Sequence, residues 1–349
     1  MVVFILCHTA HAATVIDTER ATIDLGGFYK NYFMASETSS DTGVFRFNLD
    51  ATLWNFMSTE VHYQNNAVIS NADITISHRM DRLNATFDND AIRLTVGRQA
   101  ISYGSGRIWS PIDMIGAFSP TDIDREYKQG VDAIKLGYSL GSLSQIQAVV
   151  APRDNWDQTR MLVYGHSTIS KLEYSLIVGD IYNDGVFGGD LQIDVFDAGL
   201  RTEYTYTITE GDPNYASIVA GLDYQFQTGP YVLAEYYYNG IGATDVSNYN
   251  QIIQKKQYQE ARVFNLGKHY GALMMGYDIT GIISVSLLGI MNLNDHSMLV
   301  NPTINVSMAD NVSAVFGAQL NFGKEYETDF ASEFGAYPHL YVIQMNMYF

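Results

Sequence analysis

The chain has 349 residues, a formal net charge of -18 and a pI near 4.6. A nucleic-acid partner needs a basic face, so that class is excluded at the outset. A single cysteine, Cys7, rules out a disulfide framework, and 7 Pro beside 29 Gly describe neither a disordered nor a collagen-like chain.

The chain begins with an apolar run, Val2 to Cys7, followed by Ala10-His11-Ala12. This small–x–small pattern fits a secretory leader ending at residue 12, with residues 13–349 as the mature domain. The basic region that usually opens a leader is missing, which leaves room for a start further upstream; a short buried strand is the alternative. On the leader reading the mature protein has no cysteine, hence no thiolate metal site and no thioether-linked haem. No cofactor or metal site is expected.

No window supplies the 18 or so continuous apolar residues of a membrane helix, yet 47% of the residues are hydrophobic. They alternate with polar ones. In G43-V-F-R-F-N-L-D-A-T-L53, Phe45, Phe47, Leu49 and Ala51 share one face of an extended chain, and Arg46, Asn48, Asp50 and Thr52 the other. The same period of two runs through residues 199–207, 216–226 and 312–322. Short turn signals such as D88-N-D90, L140-G-S142 and A309-D-N311 alternate with long stretches at 101–129, 240–264 and 323–338. This pattern predicts about 18 strands, centred near residues 24, 46, 60, 76, 94, 134, 147, 163, 175, 189, 203, 220, 234, 270, 286, 302, 317 and 345. A count of 16 is the fallback, because the 60–90 region is poorly phased.

A soluble sandwich would use shorter strands with a charged outer face. Here many runs approach ten residues, the length of a tilted membrane strand, and the faces opposite the apolar ones carry Gln, Asn, Ser, Thr and isolated charges. Tyr204–Tyr206 and Tyr236–Tyr238 near strand ends fit interfacial aromatic girdles. The fold class is therefore all-β, a single transmembrane antiparallel β-barrel.

The last strand, Y341-V-I-Q-M-N-M-Y-F349, sets Tyr341, Ile343, Met345, Met347 and Phe349 on one face. It resembles the assembly signal of Gram-negative outer-membrane barrels. That resemblance implies an integral outer-membrane location, contact with lipid and lipopolysaccharide, and recognition by the barrel-assembly machinery. Anchoring at the periplasmic interface is a second role open to Phe349.

The stretch V96-G-R-Q-A-I-S-Y-G-S-G-R-I-W-S-P-I-D113, with D122-I-D-R-E-Y-K-Q-G-V-D-A133, resembles a segment of porin-like proteins, including the alginate-export type. The match covers about forty residues of this chain. It implies a non-enzymatic pore for small solutes or for a polysaccharide moving outward. In porins the third external loop commonly folds inward, and residues 101–129 form the third such connection. Its Ile108, Trp109, Ile112, Ile115 and Phe118 are too apolar for a free loop and are expected to pack on the wall. Arg107, Asp113, Asp122, Asp124, Arg125, Glu126 and Lys128 are expected to face a constriction, where fixed charges of both signs sort solutes.

Arg98 falls in phase with Ile92, Leu94 and Val96, where a lipid-facing arginine costs about 2–4 kcal/mol at mid-membrane. A bulge at Gly97 that turns Arg98 and Gln99 inward is expected, with a position at the rim as the alternative. Clean alternation points Arg46, Asp50, Lys135, Arg201, Glu203, Asp223 and Glu235 into the lumen, for charge pairing or for solute contact. Arg79 and Arg82 lie either side of a phase slip.

G137-Y-S-L-G141 matches a nucleophile elbow only by chance, since it lies on a strand end and hairpin. N183-D-G-V-F-G-G-D190 reads as a Gly-rich turn rather than a cation site at Asp184 and Asp190. The expected function is passive diffusion of small hydrophilic solutes. An export channel for an anionic polysaccharide, an outer-membrane enzyme and a sleeve around a cytochrome are the rivals.

Overall fold

The computed structural model describes residues 13–349 apart from Glu19, Asn71, Ala72 and Ile123, so the leader expected at 1–12 lies outside the described residues. The strands are β1 (Ala13–Thr18), β2 (Ala21–Ala35), β3 (Ser39–Leu53), β4 (Met57–Ser70), β5 (Asp73–Asn89), β6 (Ile92–Gln99), β7 (Val131–Ser139) and β8 (Ser144–Ala151). Then come β9 (Arg160–Ile169), β10 (Leu172–Ile181), β11 (Asp184–Val195), β12 (Ala198–Ile208), β13 (Tyr215–Gln225) and β14 (Tyr231–Asn239). The last five are β15 (His269–Thr280), β16 (Ile283–Asn292), β17 (Met298–Ala309), β18 (Val312–Phe322) and β19 (Leu340–Tyr348).

Each strand from β2 to β19 pairs antiparallel with its neighbours in sequence, and β19 returns to β2 through Tyr341↔Ala35 to Tyr348↔Phe28. The result is a closed 18-stranded barrel plus one extra strand. All eighteen positions read from the alternation fall inside these strands, and the fallback of sixteen does not hold. The extra strand, β1, went unread. It pairs with residues 21–25 at the foot of β2, below the point where β19 stops.

All eight connections on the side of the C-terminus are short, and the three long ones, at 100–130, 240–268 and 323–339, lie at the opposite end. Tight hairpins follow from local chemistry. Tyr182-Asn183 and Phe196-Asp197 have φ of 57°, 64°, 52° and 65°, the left-handed pairs that match strand twist. The glycines of 183–190 are therefore not a turn, as expected from composition, but lie within β11. The phase slip near residue 80 is a bulge: His62 pairs with Arg82 and Tyr63 with Met80, skipping Asp81. One extra residue lets Arg79, Asp81 and Arg82 all serve the same side of the wall.

The side-chain distribution is inverted relative to a soluble protein. Phe45, Phe47, Leu176, Val178, Leu287, Phe316 and Ile343 are exposed around the outside, while Arg46, Gln64, Glu203, Glu235, Gln344 and Asn346 are buried inside. Such a belt is stable against lipid, where a closed barrel leaves no strand edge unpaired.

Candidate functional site: a loop drawn across the lumen

Residues 100–130 leave β6 at the end remote from the C-terminus and fold into the barrel. Ile101, Tyr103, Ile112 and Ile115 pack on Ala133, Val149, Leu162 and Ile177 of β7 to β10. Ile108 and Trp109 reach further round, to Val219, Leu233, Tyr237 and Leu299 of β13 to β17. Burying six large apolar side chains contributes on the order of 10 kcal/mol towards holding the loop.

Two wall carboxylates fix its backbone. Glu203 Oε1 accepts from the N–H of Ser105 at 2.7 Å and of Gly106 at 2.6 Å, and Ser110 Oγ donates to Oε2 at 3.0 Å. Glu235 accepts from the N–H of Arg107 at 2.6 Å and of Ile108 at 2.9 Å. Gly104, at φ +99°, permits this approach, because a Cβ there would meet Ser110 and Glu203. At the tip, Trp109 Nε1 donates to Asn265 Oδ1 at 2.9 Å, tying the loop to the 240–268 connection.

The return limb is held by the opposite wall. Lys30 Nζ donates to Asp124 and Glu126, each at 2.6 Å. Tyr32 donates to Asp124, and the Tyr348 hydroxyl donates to Glu126 at 2.9 Å. Arg82 Nη2 donates to the Lys128 carbonyl at 2.7 Å, and Lys128 pairs with Asp113 inside the loop. Burial raises the Asp113 pKa against the pull of Lys128, and burial lowers that of Lys128. Burial also pushes Asp124 upward, but hydrogen bonds from Lys30 and Tyr32 outweigh it and hold the carboxyl below its usual range. Burial lowers the Arg125 pKa.

The residues read from the sequence thus divide. Asp113, Asp124, Glu126 and Lys128 come together in ion pairs, whereas Asp122 caps its own turn through the Ser119 N–H at 2.8 Å. Arg125 donates to the Arg107 carbonyl at 3.5 Å and lies over the Phe118 ring. Arg201 pairs with Asp223, Asp50 accepts from His62 at 2.8 Å, and Lys135 lines a chamber at the C-terminal end. Gln99 faces inward and donates to the Ala133 carbonyl at 3.1 Å.

Arg98 needs a correction. Pairing of β6 runs unbroken through Gly97 on both sides, so the expected bulge is not there. Arg98 keeps the phase of Val96 near the strand's far end, where Nε donates to Asp132 Oδ1 at 2.9 Å and Nη1 to the Met80 carbonyl at 3.1 Å. A partner at the rim replaces the bulge, and from there Arg98 lines the chamber on the long-loop side.

Alternation missed the groups that organise the wall opposite the loop. Asp81 is buried and serves Arg46, Arg79 and Arg82 together. R79-M-D-R82 was a visible signal, hidden by the slip. Asp184 pairs with Arg262 and so anchors the 240–268 connection; no cluster of metal-ligating residues occurs among the described residues.

The loop's apolar limb packs on β7 to β17 and its return limb is tied to β2, β5 and β19, which leaves one chamber on each side of the crossing. A chamber of about 780 Å³ on the long-loop side is lined by Arg79, Asp81, Lys128, Arg153 and Arg160. One of about 670 Å³ on the C-terminal side is lined by Glu60, His62, Arg82, Arg93 and Lys135.

A closed 18-stranded antiparallel barrel with a long loop folded into it is the porin class of fold. No protein-family model matches the chain, and no curated protein matches it in sequence. Solved structures do. OprD from Pseudomonas aeruginosa superposes with a TM-score of 0.64 at 12% identity, covering 97% of both chains. OccK5 (OpdH) from the same organism gives 0.63 at 10% identity, covering 95% of this chain and 98% of that one. OccAB4 of Acinetobacter baumannii gives 0.63 at 9% identity, with 94% and 98% covered.

Proposed function

We propose that the chain is an integral outer-membrane protein of a Gram-negative cell and a passive channel for small hydrophilic solutes. The observation that carries this reading is the loop's path: clamped by Glu203 and Glu235 on one wall and by Lys30 and Arg82 on the other, it crosses the lumen and leaves charged chambers on both sides of it. The fold shared with OprD and the Occ proteins supports it. The apolar belt provides for lipid, with lipopolysaccharide at its outer edge, and the terminal strand provides for the assembly machinery. Residues 1–12 then serve as the export leader. The chamber charges have no catalytic role in this reading.

Both charge signs line the chambers, but they are not equally free. Asp81, Asp124 and Glu260 are each ion-paired; among the described lining residues three cations, Arg153, Arg160 and Lys135, have no carboxylate partner, against two acids, Glu60 and Asp122, with no cationic one. The channel should therefore prefer anions although the whole chain is acidic. Refolded protein in a planar bilayer under a salt gradient tests this. Ohmic steps with an anion-selective reversal potential are expected; inserted but silent protein would sink the reading.

A further inference from the structure

We propose that Tyr127 is the partition that sets which solutes cross, a specificity-determining residue within the channel reading above, on which this inference rests. Among the described residues it is the single one that lines both chambers. Its ring stacks on Phe28 of the β2 wall, with centroids 4.9 Å apart and planes 29° from parallel. Two cations close over the same ring: the Arg46 guanidinium lies 4.7 Å from its centroid and the Lys30 ammonium 5.2 Å.

Both neighbours of Tyr127 in sequence are tied to the wall. Glu126 is pinned by Lys30 and Tyr348, and the Lys128 carbonyl by Arg82. A ring fixed at both flanks and stacked on the wall is a rigid wedge. The other way round it is closed by the loop's own packing on β7 to β17. A solute that leaves the outer chamber must therefore pass beside this ring. The ring limits the girth of the solute, while the cations against it, buried in ion pairs with Asp81, Asp124 and Glu126, hold the ring in place.

The test compares wild-type protein with Tyr127→Ala, Tyr127→Phe and Phe28→Ala, each confirmed as a folded band that resists dissociation in cold detergent. Conductance follows the cross-section of the narrowest segment, so Tyr127→Ala should raise the step roughly two-fold and speed liposome swelling by larger sugars. Tyr127→Phe keeps the ring and should match wild type, and Phe28→Ala should fall between. If wild type conducts and Tyr127→Ala conducts identically, the partition is elsewhere. If wild type is silent while Tyr127→Ala opens, the partition stands and the open-channel reading fails. Silence from both overturns both.

Discussion

Glu203 on β12 accepts a hydrogen bond from the backbone N–H of Gly106 at 2.6 Å, across 97 residues of sequence. A fully buried carboxylate is costly unless its oxygens are filled, and here loop donors fill them. Glu203→Gln keeps the shape but turns an amide NH₂ towards N–H groups that need an acceptor. About 1–3 kcal/mol is lost per donor left unmet. Single channels of this variant should flicker and show a raised mean conductance, with the unfolding midpoint little changed because the barrel itself is intact. Quiet, wild-type channels would refute the clamp.

Asp81 holds Arg46 in a site with no solvent exposure, where Nε and Nη1 have no hydrogen-bond partner among the described residues. Asp81→Asn should destabilise the barrel by about 3–5 kcal/mol, since it strands a buried cation. Adding Arg46→Met should restore much of that. Urea titrations followed by the folded band would reveal the recovery, and its absence would mean the loss comes from the bulge geometry.

Glu333 ties the two other long connections together. It accepts from the Leu266 N–H at 3.1 Å and the Asn292 amide at 2.7 Å, and Tyr270 also donates to it. Tyr249 and Asp295 complete the cluster. Burial raises the Glu333 pKa. A raised acid pKa means the contribution to stability is fully present below the unfolded value, near 4.3, and fades as pH rises through the folded one. Residues 240–268 and 323–339 should hence be more protected from hydrogen exchange, after correction for its intrinsic rate, in mild acid than at alkaline pH. Glu333→Gln should flatten that difference.

Phe349 packs its ring on Phe45, with centroids 5.8 Å apart, and exchanges backbone hydrogen bonds with Gly27 at 2.8 and 3.0 Å. Tyr341, Ile343 and Met345 are exposed on the outer belt. Deleting Phe349 should cut the folded yield in cells several-fold while detergent refolding proceeds nearly as before. Equal loss in both settings would reduce its role to packing.

Period two made the barrel legible. Each strand turns apolar side chains outward and polar ones towards the lumen, so every run carries the same alternation. Two things broke it. The bulge at Asp81 shifted the phase within β5, which obscured the carboxylate that collects three arginines. Strand β1 has only six residues and no enclosed face, leaving no alternation to read. The inward loop was visible through Trp109 and its isoleucines, because apolar residues in a connection need a surface. Its anchors were visible only as lumen-facing acids. Which backbone amides Glu203 would hold depends on two segments about a hundred residues apart, and no local pattern encodes that.

The loop's path divides labour within a nominally uniform wall. Strands β7 to β17 act as a mould for the loop, where substitutions must preserve shape. Strands β2 to β6 line both chambers, and β2 and β5 also hold the loop's return limb. Descendants of this gene could acquire new preferences by altering the chamber-lining positions of β2 to β6, leaving the apolar mould of β7 to β17 untouched.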